Sequence, residues 1–313
     1  MYELLFFQVR PAAVACDLHP DYASSQWARQ FALDHQIPCI SVQHHHAHLA
    51  ACLVDNDCKG PALGAIWDGV GLGTDGAIWG GEFLLGDERG YQRVAHFHPF
   101  VLLGAEAAVR EPRRIALSLL WAAFGAQVMA HIPASLRAAF SPQELQFFTK
   151  ALESGNGGPL CTSVGRLFDG VAALTGLVHE SSFEAQAAMA LEFIADPGAT
   201  EPYPLRFEAG VLDWRAMIVE IANDVGREVP VGAIAGRFHA SLVQALVRVC
   251  RAHHATALAL SGGCFQNRYL LERAVNQLEH EGVETLLHRQ FPPNDGALSL
   301  GQLVVAASRL RAG

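Results

Sequence analysis

Short apolar runs alternate with turn residues and helical stretches twice in this chain, once near each end, and that double alternation confines it to the α/β classes. In the first part "AAVACDL" and "PCISV" read as strands, "YASSQWARQFALDH" and "HHHAHLAACLVD" as helices, and "ALGAIWDG" and "GAIWGGEFLLG" as strands joined by the glycine-rich turn "VGLGTDG". The last third gives "ATALALSG" as a strand, "CFQNRYLLERAVNQLEHEG" as a helix, "VETLLH" as a strand and "DGALSLGQLVVAASRLRAG" as a closing helix. Between them "RRIALSLLWAAFG", "SLRAAF" and "SPQELQFFTKALES" are helical and rich in Ala and Leu, which predicts a helical insertion over about 104–155 as a cover or partner surface. The expected division is an N-terminal α/β lobe over 1–98 and a C-terminal α/β lobe over 99–313, packed on one cleft. No short repeat, low-complexity tract or Pro/Ser-rich linker interrupts this pattern.

With 51% apolar residues among 313, such a chain can bury a large core. No segment reaches the roughly 18 to 20 unbroken apolar residues of a membrane span, and "MYELLFFQVRPAAVACD" lacks the basic start and cleavage site of a signal peptide, so a cytoplasmic location and no membrane partner are expected. The seven cysteines form no C-x-x-C pair, which predicts reduced thiols rather than a disulfide framework or a zinc ribbon. A formal charge of -9 argues against a nucleic-acid partner, since gripping a phosphate backbone takes clustered Lys and Arg.

The stretch "VQHHHAHLAACLV" holds four histidines in five positions. On a helix His44 and His48 share a face and can reach a common point, while His45 and His46 fan away. A polar first turn facing water is the plain alternative. Asp68 ends the strand "ALGAIWD" before Gly69, Gly71 and Gly73, where open α/β sheets bind ligands and glycine amides can approach phosphate; it is equally an ordinary turn former. Asp295 in "FPPNDGALSLGQ" either adds an oxygen ligand or, like Asn294, caps the closing helix. Two imidazoles with one or two carboxylates suit iron, zinc or manganese. In "LALSGGCFQNRYLLE" the Gly262-Gly263 turn before a helix forms a candidate anion site, with Asn267 in reach of a ribose or base; such turns also serve close packing alone. "TSVGRLFDGVAALTG" places Arg166 for a phosphate and Asp169 for a ribose hydroxyl, or is an ordinary Arg-Asp helix start. No P-loop, no G-x-G-x-x-G and no G-x-S-x-G elbow is present.

Together "CDLHPDYASSQWA", "VQHHHAHLAA", "IWDGVGLGTDGAIWGGEF", "REPRRIALSLL", "TSVGRLFDGVAALTG", "FEAQAAMALE", "SGGCFQNRYLLE" and "PPNDGALSLGQ" closely resemble, in order along nearly the whole chain, the C-terminal TsaD/Kae-like transferase portion of HypF, the carbamoyltransferase of NiFe-hydrogenase maturation. The resemblance implies the two-lobed actin/sugar-kinase/Hsp70-like (ASKHA) fold. It implies carbamoyl transfer from carbamoyl-adenylate to the C-terminal cysteine of HypE, on the way to the cyanide ligands of the hydrogenase iron. It places one metal ion, iron or zinc, on His44, His48, Asp68 and Asp295, and an adenine nucleotide near Asp169, Asn267 and the Gly262-Gly263 turn. His45 or His46 is then a candidate to take the thiol proton. The acylphosphatase-like start, the C-x-x-C zinc modules and the adenylate-forming YrdC-like domain of a full HypF are missing, so an excised domain or truncated product is expected, working with those parts in cis or trans. The family's "YEGQAA" reads "FEAQAA" here, with Ala185 for Gly, which leaves Glu184 and Gln186 as weaker candidates. The readings kept beside this one are a tRNA threonylcarbamoyl transferase-like enzyme and a non-catalytic nucleotide-binding scaffold for HypE.

Overall fold

The computed structural model describes residues 10–312; the segment 1–9, read above for a leader, lies outside them. In chain order the elements are β1 (Val14–Asp17), α1 (Ala23–His35), β2 (Cys39–Val42), α2 (His44–Asp55), β3 (Ala62–Leu72), β4 (Ile78–Asp87), β5 (Gly90–Phe97) and β6 (Phe100–Val101). The helices α3 (Glu106–Arg110), α4 (Pro112–Phe124), α5 (Val128–His131), α6 (Ala134–Ala138) and α7 (Pro142–Glu153) follow, filling the expected insertion. Then come β7 (Leu160–Cys161), α8 (Val164–Leu174), α9 (Gln186–Ile194), β8 (Arg206–Glu208), β9 (Val211–Asp213), α10 (Arg215–Gly226), α11 (Val231–Ala252), β10 (Ala257–Ser261), α12 (Arg268–His280), β11 (Glu284–Leu286) and α13 (Leu298–Ala312).

Two sheets result. β1 and β2 pair in parallel by themselves, while a nine-stranded mixed sheet runs in the order β11-β10-β3-β4-β5-β9-β8, with β7 beside β4 and β6 beside β7. The larger sheet runs across residue 98, where the sequence reading divides the lobes. β3, β4 and β5 belong to the same sheet as β10 and β11, because β3 pairs in parallel with β10. A parallel pair needs a long crossover, and here the crossover contains the insertion and most of the remaining chain.

Strand alternation sorts the core. On β3, Leu63, Ala65 and Trp67 join the large cluster shared with α4, α8 and α11, whereas Ile66 turns to the opposite face, where Leu49, Cys52 and Leu53 of α2 cover it. Leu258 and Leu260 of β10 follow the first set and Ala259 the second. Helix α2 is thereby laid over β3, β4 and β10, and α13 packs on it from outside. Its start is fixed by Gln43, whose side chain accepts the His46 N–H at 2.8 Å.

The glycine-rich turn is shorter than expected. β3 continues through Leu72 after a register shift between Trp67 and Gly71, so Gly69 and Gly71 lie within the strand. Likewise the helix read from Cys264 splits: a 3-10 turn spans Gly263–Gln266, and α12 starts only after Asn267 caps it. Among the described residues no helix is long and apolar enough to cross a membrane.

Candidate functional site

The carboxyl ends of β1, β2 and β10 deliver Asp17, the start of α2 and the Ser261-Gly262-Gly263 turn, and the register shift within β3 delivers Asp68, so both sheets aim polar residues at one place. There His44 Nε2 lies 3.3 Å from Asp68 Oδ2 and 3.5 Å from Asp295 Oδ1. His48 Nε2 lies 3.6 Å from the same Asp68 oxygen and 3.4 Å from the same Asp295 oxygen. One donor atom from each of His44, His48, Asp68 and Asp295 falls within 4.8 Å of all the others. Four donors about 2.1 Å from a tetrahedral ion stand roughly 3.4 Å apart, so the short spacings suit a shared cation. His48 Nε2 is buried without a hydrogen-bond partner, the condition of a donor that faces a ligand outside the protein. The alternative of His44 and His48 facing water fails, since both rings are buried.

Each donor is held from behind. Asp68 Oδ1 accepts the Gly263 N–H at 3.2 Å, which turns Oδ2 to the histidines. His44 Nδ1 meets the buried Asp17 carboxylate at 2.8 Å, a partner that fixes the ring and its tautomer. Capping falls to Asn294, whose side chain accepts the Gly296 N–H, so Asp295 is left to the cluster. Burial works against a charged His44, but hydrogen bonding to Asp17, Asp295 and Asp68 outweighs it and raises His44 well above the usual imidazole range. His48 is raised too, and the two rings hold Asp295 and, against its own burial, Asp68 below the carboxylate range.

Other expected site residues have other surroundings. His46 Nε2 sits 2.7 Å from the Asp87 backbone oxygen and its ring packs on Tyr91. His45 has Gln43 at 3.4 Å from Nδ1, lies beside Trp79, and keeps Nε2 without a partner. Both rings are fully buried, so neither has an open path to a thiol, and burial pushes both below the usual imidazole range. Their reading as bases gains no support from these surroundings. Gly71 and Gly73 also have packing roles: a Cβ on Gly71 would lie 2.5 Å from the His45 ring, and one on Gly73 2.2 Å from Trp79 Nε1. Gly262, at φ 101, passes so close to Trp67 that a Cβ would meet its carbonyl at 2.2 Å. Asn267 uses both ends of its amide inside the fold, accepting the Leu270 N–H at 2.8 Å and donating to His239 Nε2 at 3.0 Å.

Gly69 is different, since a Cβ there would touch only Arg166, with Nη2 at 3.6 Å. Arg166 and Asp169 are both buried on α8, with Nε 3.1 Å from Oδ2, yet Nε and Nη1 of Arg166 and Oδ2 of Asp169 lack hydrogen bonds. Burial pushes Asp169 up to about 6 despite the arginine. Nε and Oδ2 face each other as a buried ion pair, which leaves Nη1 of Arg166 as the buried donor without a partner, a place for a polar acceptor. Sequence reading missed Asp17, although "VACD" has the same strand-end carboxylate signal as "AIWD".

A two-sheet α/β domain with a His/Asp cluster at the carboxyl ends of parallel strands defines the class. Two family models match it: the HypF Kae1-like domain over residues 3–55 and the second subdomain of the carbamoyltransferase Kae1-like domain over residues 64–302. The carbamoyltransferase HypF of Synechocystis sp. is 39% identical over 95% of this chain, which spans 40% of that relative's length. A carbamoyltransferase HypF homolog of Cupriavidus necator is 36% identical over 94% of this chain and 77% of its own. A crystal structure of full-length HypF in the phosphate- and nucleotide-bound form superposes with a TM-score of 0.90 and 33% identity, over 99% of this chain and 49% of that one. The chain belongs to the HypF carbamoyltransferase family and carries its Kae1-like, ASKHA-type domain.

Proposed function

We propose that this chain transfers the carbamoyl group of carbamoyl-adenylate to the C-terminal cysteine thiol of HypE, the step that feeds synthesis of the hydrogenase cyanide ligands. The observation that carries the reading is the convergence of His44, His48, Asp68 and Asp295 next to Gly69 and the buried Arg166–Asp169 pair, whose Nη1 has no partner. His44, His48, Asp68 and Asp295 would hold one iron or zinc ion, which supplies Lewis-acid stabilisation of negative oxygen when bound.

The adenine nucleotide lies on the Arg166 side. Gly69 leaves room beside the guanidinium for a phosphate, Asp169 faces a ribose hydroxyl, and the Gly262-Gly263 turn and Asn267 shape the wall through the packing described above. The attacking sulfur enters as a thiolate, so no imidazole has to take its proton at that moment. Sulfur bonds to the carbamoyl carbon, the bond from that carbon to the adenylate oxygen breaks, and AMP leaves. What the chain contributes is alignment and charge neutralisation.

The test is the mass gain of HypE given preformed carbamoyl-adenylate. The wild-type chain is expected to carbamoylate HypE, and His44→Ala and Asp68→Ala to slow transfer on the order of 100-fold or more. Wild-type transfer that both variants match would refute the centre, and no transfer at all would favour a scaffold for HypE.

A further inference from the structure

The two imidazoles of the centre are backed differently. His44 has a carboxylate directly behind it, whereas His48 Nδ1 faces Ser261 Oγ at 3.3 Å. That hydroxyl lies 2.8 Å from His288 Nε2, and His288 Nδ1, which has no hydrogen-bond partner, faces the Asp55 carboxylate across a 3.9 Å ion-pair distance. All four side chains are buried. Asp55, the last residue of α2, also accepts the backbone N–H groups of Arg289 at 2.6 Å and Gln290 at 3.1 Å. It thus fastens the start of the segment that runs from His288 to Asp295, the most exposed of the four donors.

The hydrogens in this row follow from ligation at one end and from distance along it. A ligating Nε2 carries no proton, so the His48 hydrogen sits on Nδ1 and donates to Ser261. The Ser261 hydroxyl has one hydrogen and two acceptors in reach, His288 Nε2 at 2.8 Å and the Pro293 carbonyl at 3.5 Å, and the much shorter contact assigns it to His288. The His288 hydrogen then sits on Nδ1, facing Asp55. Burial pushes His288 down to about 4, in keeping with a neutral acceptor.

We propose that Ser261, His288 and Asp55 form a positioning relay: it fixes the His48 ring with its Nε2 lone pair towards the four-donor centre and, through the grip of Asp55 on residues 289 and 290, holds Asp295 at the same centre. The relay rests on reading that centre as a metal site. It joins α2, β10 and the segment after β11, so two donors separated by most of the chain share one support.

The probe is Zn2+ alone, titrated into metal-stripped protein in competition with a chromophoric chelator, with thermal unfolding recorded for every variant. Ser261→Ala and His288→Leu are expected to weaken Zn2+ binding about 10- to 100-fold. His288→Gln, which keeps an acceptor near the Nε2 position, should stay within about threefold of wild type. Ser118→Ala removes an equally buried hydroxyl, bonded to the Val101 carbonyl, and should leave Zn2+ affinity unchanged. Should Ser261→Ala not fold, the contrast between His288→Leu and His288→Gln decides. Wild-type binding with unchanged affinity in Ser261→Ala and His288→Leu, or an equal loss in His288→Gln, overturns the relay and leaves the metal centre standing. Absence of saturable Zn2+ binding by the wild-type chain overturns both.

Discussion

Ala185 stands at φ 60 and ψ 9, directly before α9, in the left-handed region where an L side chain costs about 1 kcal/mol. The family stretch that "FEAQAA" resembles has glycine there, and the backbone shows why: the position needs the conformation rather than the side chain. Ala185→Gly is therefore expected to raise stability by about 0.5–1 kcal/mol, with part of the relief offset by the freer unfolded chain. Urea unfolding checks it, and a midpoint at or below wild type would show that the strain is absorbed elsewhere. Residue by residue, the cluster was legible where spacing is local. His44 and His48 are four apart on one helix, and each carboxylate stands directly before a glycine, Asp68 at the register shift of β3 and Asp295 in a turn. Their supports were not legible, because Asp17 lies 27 residues from His44 and Ser261 lies 213 from His48, and single polar residues in apolar strands announce no partner. The surroundings of His45 and His46 were not legible, because a sequence shows which way a helical side chain points but not what it meets. Here they meet Trp79 and the Asp87 carbonyl.

At the scale of elements, the centre depends on how α13 lies on α2. A Cβ on Gly301 would come 1.8 Å from the Ala47 backbone oxygen, so the absence of a side chain is what lets the helices touch. Gly301→Ala must push them apart, at a cost of about 1–3 kcal/mol for overpacking. Asp295 lies in the short turn that leads into α13, so the same displacement should carry it away from His44 and His48 and weaken Zn2+ binding. Thermal unfolding and Zn2+ titration of this variant should fall together; an unchanged unfolding midpoint would mean the contact is easily relaxed. The elements themselves were legible, since period-2 and period-3.6 patterns sort their apolar faces. What the pattern hid was how elements end. Glycine has no side chain to continue an alternation, so β3 was read as stopping short of Gly71, and the cap at Asn267 was read as the interior of a helix.

For the whole molecule, the parallel pairing of β3 with β10 brings the two ends of the chain together, and the gathering of strand ends from both sheets makes one centre, with one four-donor cluster among the described residues. Two chemically distinct steps separate carbamoyl phosphate from a carbamoylated thiol. Forming the adenylate needs ATP and carbamoyl phosphate held in line, which calls for a site of its own with phosphate-binding motifs. This chain spans 40% of the length of the Synechocystis relative, and the centre proposed here offers one nucleotide place. The transfer step needs only what the proposed centre offers, namely a place for AMP, charge neutralisation and an approach for sulfur. The 313-residue chain is accordingly expected to leave HypE unmodified when given carbamoyl phosphate and ATP, and to modify it when given carbamoyl-adenylate. Mass spectrometry of HypE under the two conditions separates the cases, with a Cys-to-Ala HypE tail to show that the gain is on the terminal thiol. Modification from carbamoyl phosphate and ATP by this chain alone would place both steps at one centre and refute the division, because the place beside Arg166 would then have to serve ATP in the first reaction and AMP in the second.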